Sequence, residues 1–438
     1  MTLFPKKPGV IVSAIVGIFI FWNGSIQAAS PIWAPPDLSD LIEEGLAQNK
    51  EIQSLQARVE SLKAEIPFAG SLEDLRLGLA ILNLPADSFS FEREPMTQKQ
   101  ISLAQKIPWF GKLDLRSQRT ALKAVRQEAV LEAKRFELAR KIAANYYRLG
   151  FVAAGLKINA RLTDIVNQLL GVAETRYATG RGLQQDVLQA QVELSKLLDE
   201  KIILNRKRRT REDRINGLLN RESFSPVAPP QGLNFPDMQL DIKRLQSIAA
   251  QENPMLSVRR ADIDIAAVET ELARKDYWPD MDFKVAYGQR DEDRTGRSLP
   301  DFVSASVTIN LPVWKKYRQD PKLAATLKSH DAAFKSFRNL LESLPHRVDA
   351  LATEIRDFQE NYRLFDEALL IQAEQWANSS LAAYEVGSLE FDTMINSQIR
   401  LLRFELKAEN YLFNIYQKRT ELEEVLGGPL DGMPAKEK

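Results

Sequence analysis

The 438-residue chain contains no cysteine. That excludes a disulfide framework, thiolate zinc sites, iron–sulfur clusters, a thiol nucleophile and a cysteine for lipid attachment. Its only histidines, His330 and His346, lie sixteen positions apart, and no HExxH, GxSxG or phosphate-loop pattern occurs; nothing marks an enzyme, and no cofactor or metal centre is expected. Lys+Arg and Asp+Glu are equal at 59 each, so there is no basic excess of the kind that draws nucleic acid. Beyond the N-terminus no run of about 18 apolar residues occurs, so any membrane crossing has to be made of strands.

With 44% hydrophobic and 27% charged residues, the chain has material for a large packed structure. Lys6 and Lys7, the apolar stretch 10–22 and the run Asn23-Gly24-Ser25-Ile26-Gln27-Ala28-Ala29 have the order of a secretory signal. A signal peptide is expected over residues 1–28, its apolar part too short to span a bilayer.

Two halves repeat. Ile107-Pro108-Trp109 and Leu311-Pro312-Val313 lie 204 positions apart, as do Asn49 and Asn253, while Tyr177-Ala178-Thr179-Gly180 and Tyr384-Glu385-Val386-Gly387 lie 207 apart. A period of that length is a duplicated domain rather than a solenoid unit. The expected division is a first repeat at 29–224, a linker at 225–236 with Pro226, Pro229, Pro230 and Pro236, a second repeat at 237–427, and a tail at 428–438. Each repeat reads as a helical stretch, two strands, a very long helix, a glycine turn and a second helix.

The strands are expected near 73–83, 97–107, 281–290 and 301–311. Leu75, Leu77, Leu79 and Ile81 alternate with Arg76, Gly78 and Ala80; Met281, Phe283, Val285 and Tyr287 with Asp282, Lys284, Ala286 and Gly288. Runs of about 9 to 11 residues with one apolar and one small or polar face suit a transmembrane barrel, and equally a strand lying on a soluble core. Four strands cannot close a barrel alone, so a membrane reading requires further copies of the chain. No proline interrupts 112–178, and a helix of that length would reach on the order of 100 Å. Its counterpart, near 321–383, contains Pro345, where a kink or local unwinding is expected. Leu183, Val187, Ala190, Leu194 and Leu197, and again Ile395, Ile399, Leu402, Leu406 and Phe413, keep a coiled-coil spacing.

This order of elements resembles the TolC-like outer-membrane efflux family. So do Gln105-Lys106-Ile107-Pro108-Trp109-Phe110-Gly111-Lys112 at the exit of the second strand, Arg176-Tyr177-Ala178-Thr179-Gly180 before Asp186-Val187-Leu188-Gln189-Ala190-Gln191, and the diverged copy Tyr384-Glu385-Val386-Gly387 before Asp392-Thr393-Met394. The resemblance implies an α+β membrane protein, a homotrimer in which each subunit lends four strands to a 12-stranded β-barrel standing on a periplasmic α-helical tunnel. It also implies an outer-membrane location with a long periplasmic portion, contact with outer-membrane lipid, and partnership with a periplasmic adaptor (membrane fusion) protein and an inner-membrane pump. The function implied is that of a passive exit duct for small solutes or metal ions. A type I polypeptide secretion channel is the alternative, and a periplasmic coiled-coil scaffold a third reading. Pro108-Trp109-Phe110-Gly111-Lys112 is most similar to the branch serving metal-ion exporters; members of that branch often carry a lipidated cysteine, which this chain lacks.

By the same resemblance, Gly180 and Gly387 mark the adaptor-docking tip turns, Tyr384 and Asp186 a closing contact, and Asp392 a carboxylate ring at the tunnel mouth. Asp186 and Asp392 are equally what a helix N-terminus favours. The chain departs from the family at Leu389, where an arginine often helps hold the gate, and at Ile395, where a second carboxylate ring can occur. Pro108, Trp109, Phe110, Gly111 and Pro312 form the expected barrel-to-helix junction, the prolines ending strands, Gly111 permitting a tight bend, and the aromatics suiting a membrane interface. The basic run Arg206-Lys207-Arg208-Arg209-Thr210-Arg211, flanked by acids, reads as a solvated helix face.

Overall fold

The computed structural model describes residues 32–430; the expected signal peptide and most of the expected tail lie outside them. The first half comprises α1 (Pro36–Gln48), α2 (Lys50–Gly70), β1 (Arg76–Leu82), β2 (Gln98–Ile107), α3 (Lys112–Ala178) and α4 (Gln184–Leu219). The second comprises α5 (Ile242–Glu252), α6 (Pro254–Lys275), β3 (Met281–Gln289), β4 (Phe302–Ile309), α7 (Gln319–Leu364), a π-helical segment (Phe365–Leu369), α8 (Leu370–Glu385) and α9 (Phe391–Leu426). Among the described residues no helix is long and apolar enough to cross a membrane.

Two asparagines fix the frame of the halves in the same way. The Asn49 carboxamide oxygen accepts from the N–H groups of Glu51 and Ile52, capping α2, while its nitrogen donates to the Leu218 carbonyl at 2.9 Å. Asn253 accepts from Met255 and Leu256, capping α6, and donates to the Val425 carbonyl at 2.8 Å. Each therefore satisfies orphan groups at the start of one helix and near the end of its repeat's last helix.

α3 runs unbroken for 67 residues, about 100 Å at 1.5 Å per residue. It packs against both α4 and α9, while α7 and α8 pack on α9. Ala190, Leu197, Ile395 and Leu402 from the two expected stripes are buried together with α3 residues such as Val166 and Leu169. Nearer the sheet, a second core joins Ile32, Leu38, Ile142, Tyr146, Tyr147, Ile215 and Leu219. A third joins α5, α7 and α9 through residues such as Leu245, Val348, Ile355 and Leu422.

No local unwinding occurs at Pro345. α7 continues through Pro345, which is half-buried, so the carbonyl it frees is within reach of water. The ladder changes twenty residues later, at the π-helical segment. There Phe365 is buried edge-on against Phe404 and Tyr411, and the extra residue in that turn re-phases the helix for this contact.

The strands form one antiparallel sheet in the order β1-β2-β3-β4, so the two repeats meet at β2 and β3. The register aligns Leu79, Ile101, Tyr287 and Val303 in one row and Leu77, Leu103 and Val285 in the next. The opposite face carries rows such as Gly78, Ser102, Ala286 and Ser304. Inside-out polarity results: Leu77, Leu79, Val303 and Ile309 are all at least half exposed, and among the described residues no helix packs extensively on the sheet. Side chains crowd on the other face, where a Cβ added at Gly78 would lie 2.7 Å from Ser102 Oγ and one at Gly288 would overlap Gln98. A soluble strand would bury its apolar side; this sheet turns that side outward and leaves the outer edges of β1 and β4 unpaired.

Candidate functional site

The candidate residues fall at the two ends of α3. At the far end from the sheet, both helix pairs turn by the same device. Gly180, with φ +68°, sends its N–H to the Tyr177 carbonyl at 3.0 Å, and Arg181 sends its own to Arg176 at 2.8 Å. Gly387, with φ +81°, repeats this: its N–H donates to the Tyr384 carbonyl and that of Ser388 to the Ala383 carbonyl, both at 3.0 Å. These are Schellman turns, which use a left-handed residue and so favour glycine.

The turns are bound to each other. Arg176 Nη1 donates to the Tyr384 carbonyl at 2.6 Å, and the guanidinium lies 4.7 Å from the centroid of the Tyr384 ring. Tyr384 is buried, edge-on to Phe391 at 5.6 Å. Its hydroxyl has no hydrogen-bond partner. Burial, reinforced by the charge of Asp186, raises the Tyr384 pKa, while Arg176 opposes the shift. Asp186 is half-buried in the first turn of α4. Asp392, exposed in the first turn of α9, accepts from Gln189 Nε2 at 2.6 Å and so bridges the same two helix pairs.

The two departures from the family pattern have a local reason. Ile395 is 1% exposed within the core beneath the turns, with Leu389 packed against that core. A carboxylate at Ile395 would be buried without a partner, at considerable cost.

At the other end, the expected junction residues gather around Asp280. Its Oδ1 accepts from the Trp109 N–H at 2.9 Å and from Lys112 Nζ at 2.8 Å; Lys112 also reaches Asp276 at 3.2 Å. Trp109 stacks on Trp278, ring centroids 5.0 Å apart. Pro108 is buried, Gly111 starts α3 with φ +80°, and Phe110 projects outward. Pro312, with Trp278, Lys112 and Arg318, lines a cavity of about 280 Å³, and beside it Trp314 and Tyr317 are more than 70% exposed.

Arg176, Gln189 and Asp280 were not singled out by sequence reasoning, whereas Trp278 reads there as a packing or interface aromatic. Arg176 stands in the quoted tip motif, but only the fold shows that it reaches across to the second turn. Among the described residues no group of three or more His, Asp or Glu side chains is placed to hold a metal ion.

The family model described as outer membrane efflux protein matches residues 41–221. Over 308 residues the chain is 20% identical to the cobalt-zinc-cadmium resistance protein CzcC of Cupriavidus metallidurans, covering 68% of this chain and 70% of that protein. In fold it is similar to the outer membrane protein VceC of Vibrio cholerae, with a TM-score of 0.75, 18% identity and coverage of 90% of this chain and 96% of that one. It is also similar to the open state of the MtrE outer membrane channel of Neisseria gonorrhoeae, with a TM-score of 0.66, 15% identity and 98% of both chains covered. Residues 41–221 thus match the outer membrane efflux protein family in sequence, and the chain shares the fold of outer-membrane channels through both halves.

Proposed function

We propose that this chain is the outer-membrane duct of a tripartite efflux system. Three copies would join the edges of β1 and β4 into a 12-stranded barrel and range their helices into a periplasmic tunnel. The sheet carries this reading: its apolar face is outward, its polar face is crowded, and both edges are open. Lipid tolerates no open strand edge, and closure by further copies removes both. The exposed Phe110, Trp314 and Tyr317 lie just beyond the strands, where aromatic side chains favour the lipid–water boundary.

The helix turns then form the tunnel's inner end and the surface for a periplasmic adaptor, with an inner-membrane pump driving the cargo. Arg176 tying Tyr384 holds the two turns of one subunit together, and Asp392, exposed, is available to place three carboxylates around the mouth. Such a ring raises cation occupancy. The likeness to a cobalt-zinc-cadmium resistance protein supports metal ions as cargo. The test is single-channel conductance of the detergent-purified protein in a planar bilayer. Discrete openings whose cation preference falls with Asp392→Ala are expected. Openings that the substitution leaves unchanged would remove Asp392 from the mouth, and no conductance in either wild type or Arg176→Ala would remove the duct.

A further inference from the structure

Where α3, α4 and α9 meet, a cleft of about 310 Å³ opens. Arg148, Lys207 and Arg211 line its walls, and Phe151, Leu204 and Phe413 its floor. None of the three cations makes an ion pair with a described residue. Glu212, on the same helix, pairs instead with Arg208 at 3.6 Å, and Glu421 with Lys418 at 2.9 Å. The two guanidiniums have only amides to bond: Arg148 donates to Gln417 at 3.0 Å and Arg211 to Asn145 at 3.2 Å. Burial, then repulsion from Arg148 and Arg214, lowers the Arg211 pKa. The cleft therefore gathers like charges that no described acidic side chain pairs.

Gly150 faces the linker and the cleft's Phe413, where a Cβ would meet both Pro230 and the Phe413 ring; Arg148 lies two residues away, about 160° round the helix. An apolar floor of three side chains beneath a fork of cationic donors fits a flat or short apolar body with one acidic head.

We propose that this cleft binds small amphipathic organic anions, the acidic head held by Arg148, Arg211 and Lys207 and the apolar body against Phe151, Leu204 and Phe413. The site is independent of the duct reading, since binding to the solubilised protein does not require conduction.

Equilibrium dialysis of the full-length protein in a non-ionic detergent, with 1-naphthalenesulfonate as probe and naphthalene-1-methanol as its neutral counterpart, tests this. Saturable binding of the sulfonate, weakened at least tenfold in Arg148→Gln/Arg211→Gln and unchanged in Arg209→Gln, on the exposed side of α4, is expected. The neutral probe should show no difference between wild type and the double variant. Equal sulfonate binding in wild type and the double variant would assign the probe to the exposed sheet or the micelle and overturn the proposal. So would no saturable binding to wild type, which would leave the cations to an acidic side chain of another protein copy. Should the double variant fail to fold by circular dichroism, Lys207→Gln must weaken binding several-fold for the proposal to stand.

Discussion

The two repeats end their last helices at equivalent positions, 207 residues apart, with the same left-handed turn but different residues. Asn220 takes φ 57° and is exposed; Gly427 takes φ 77° and sits where a Cβ would lie 2.4 Å from the Glu252 carbonyl oxygen. Four positions earlier the pairing recurs as Asn216 and Glu423, both buried and both bonded to the chain that follows the helix. The turn is the same at both helix ends, and the packing around each determines which side chain the position can hold.

Valine placed at each helix end separates these influences most strongly. At 220 it meets only the left-handed backbone, a cost of about 1–2 kcal/mol. At 427 it also overlaps the Glu252 backbone, raising the cost to about 4 kcal/mol. Unfolding of the helical region followed by circular dichroism in denaturant should show this order; equal losses would mean that backbone strain alone decides both ends.

Glu423 differs from Asn216 in carrying a titratable group. It accepts from the N–H groups of Trp33 and Leu430 and from Arg419, joining both ends of the described chain to α9. Burial nevertheless pushes its pKa up to about 7, Arg419 and the backbone donors offsetting only part of that cost. A carboxyl whose folded pKa is raised stabilises the fold most below its ordinary value near 4.5, and that contribution is lost as pH rises through 7. The total is roughly 3 kcal/mol between pH 4 and 8. Amide exchange at Trp33 and Leu430 should therefore accelerate with pH beyond its intrinsic rate, and Glu423→Gln should remove the excess. A pH response retained in that variant would place the titration on another group.

The capping asparagines give a smaller contrast. Asn49→Ala and Asn253→Ala each remove a cap and a bond to a distant carbonyl, but Asn253 is buried whereas Asn49 is half-exposed. Losses of about 2 kcal/mol at Asn253 and about 1 kcal/mol at Asn49 are expected from thermal unfolding. A larger loss at Asn49 would invert the view that the second repeat is the more tightly built.

Much of this frame is visible in the sequence because local rules set it. The 67-residue helix follows from uninterrupted helix formers, the strands from period-two alternation, and the turn glycines from their left-handed backbone. Contacts between repeats are not local. That Arg176 reaches Tyr384, that Trp109 stacks on Trp278, and that Ile395 is core rather than lining all depend on how helices and loops over 150 residues apart are brought together. The π-helical segment is likewise unannounced locally: no proline or glycine marks it, and Phe365 there packs on Phe404 and Tyr411 from α9.

The smallest expected effect sharpens the contrast between the two turns. Gly387 lies close enough to Arg176 that a Cβ would meet its guanidinium at 3.2 Å, whereas a Cβ at Gly180 would meet nothing. The first turn thus reaches into the second, and it does so through the Tyr384 ring and carbonyl rather than its hydroxyl. Arg176→Ala should loosen both turns by about 1–2 kcal/mol, read as faster amide exchange in the last turn of α8. Tyr384→Phe keeps the ring and carbonyl and removes an unpartnered buried hydroxyl, so it should change stability by under about 0.5 kcal/mol or raise it slightly. A loss in Tyr384→Phe as large as in Arg176→Ala would mean that a second copy of the chain supplies the hydroxyl's partner, and would move the closing contact from within one subunit to the boundary between two.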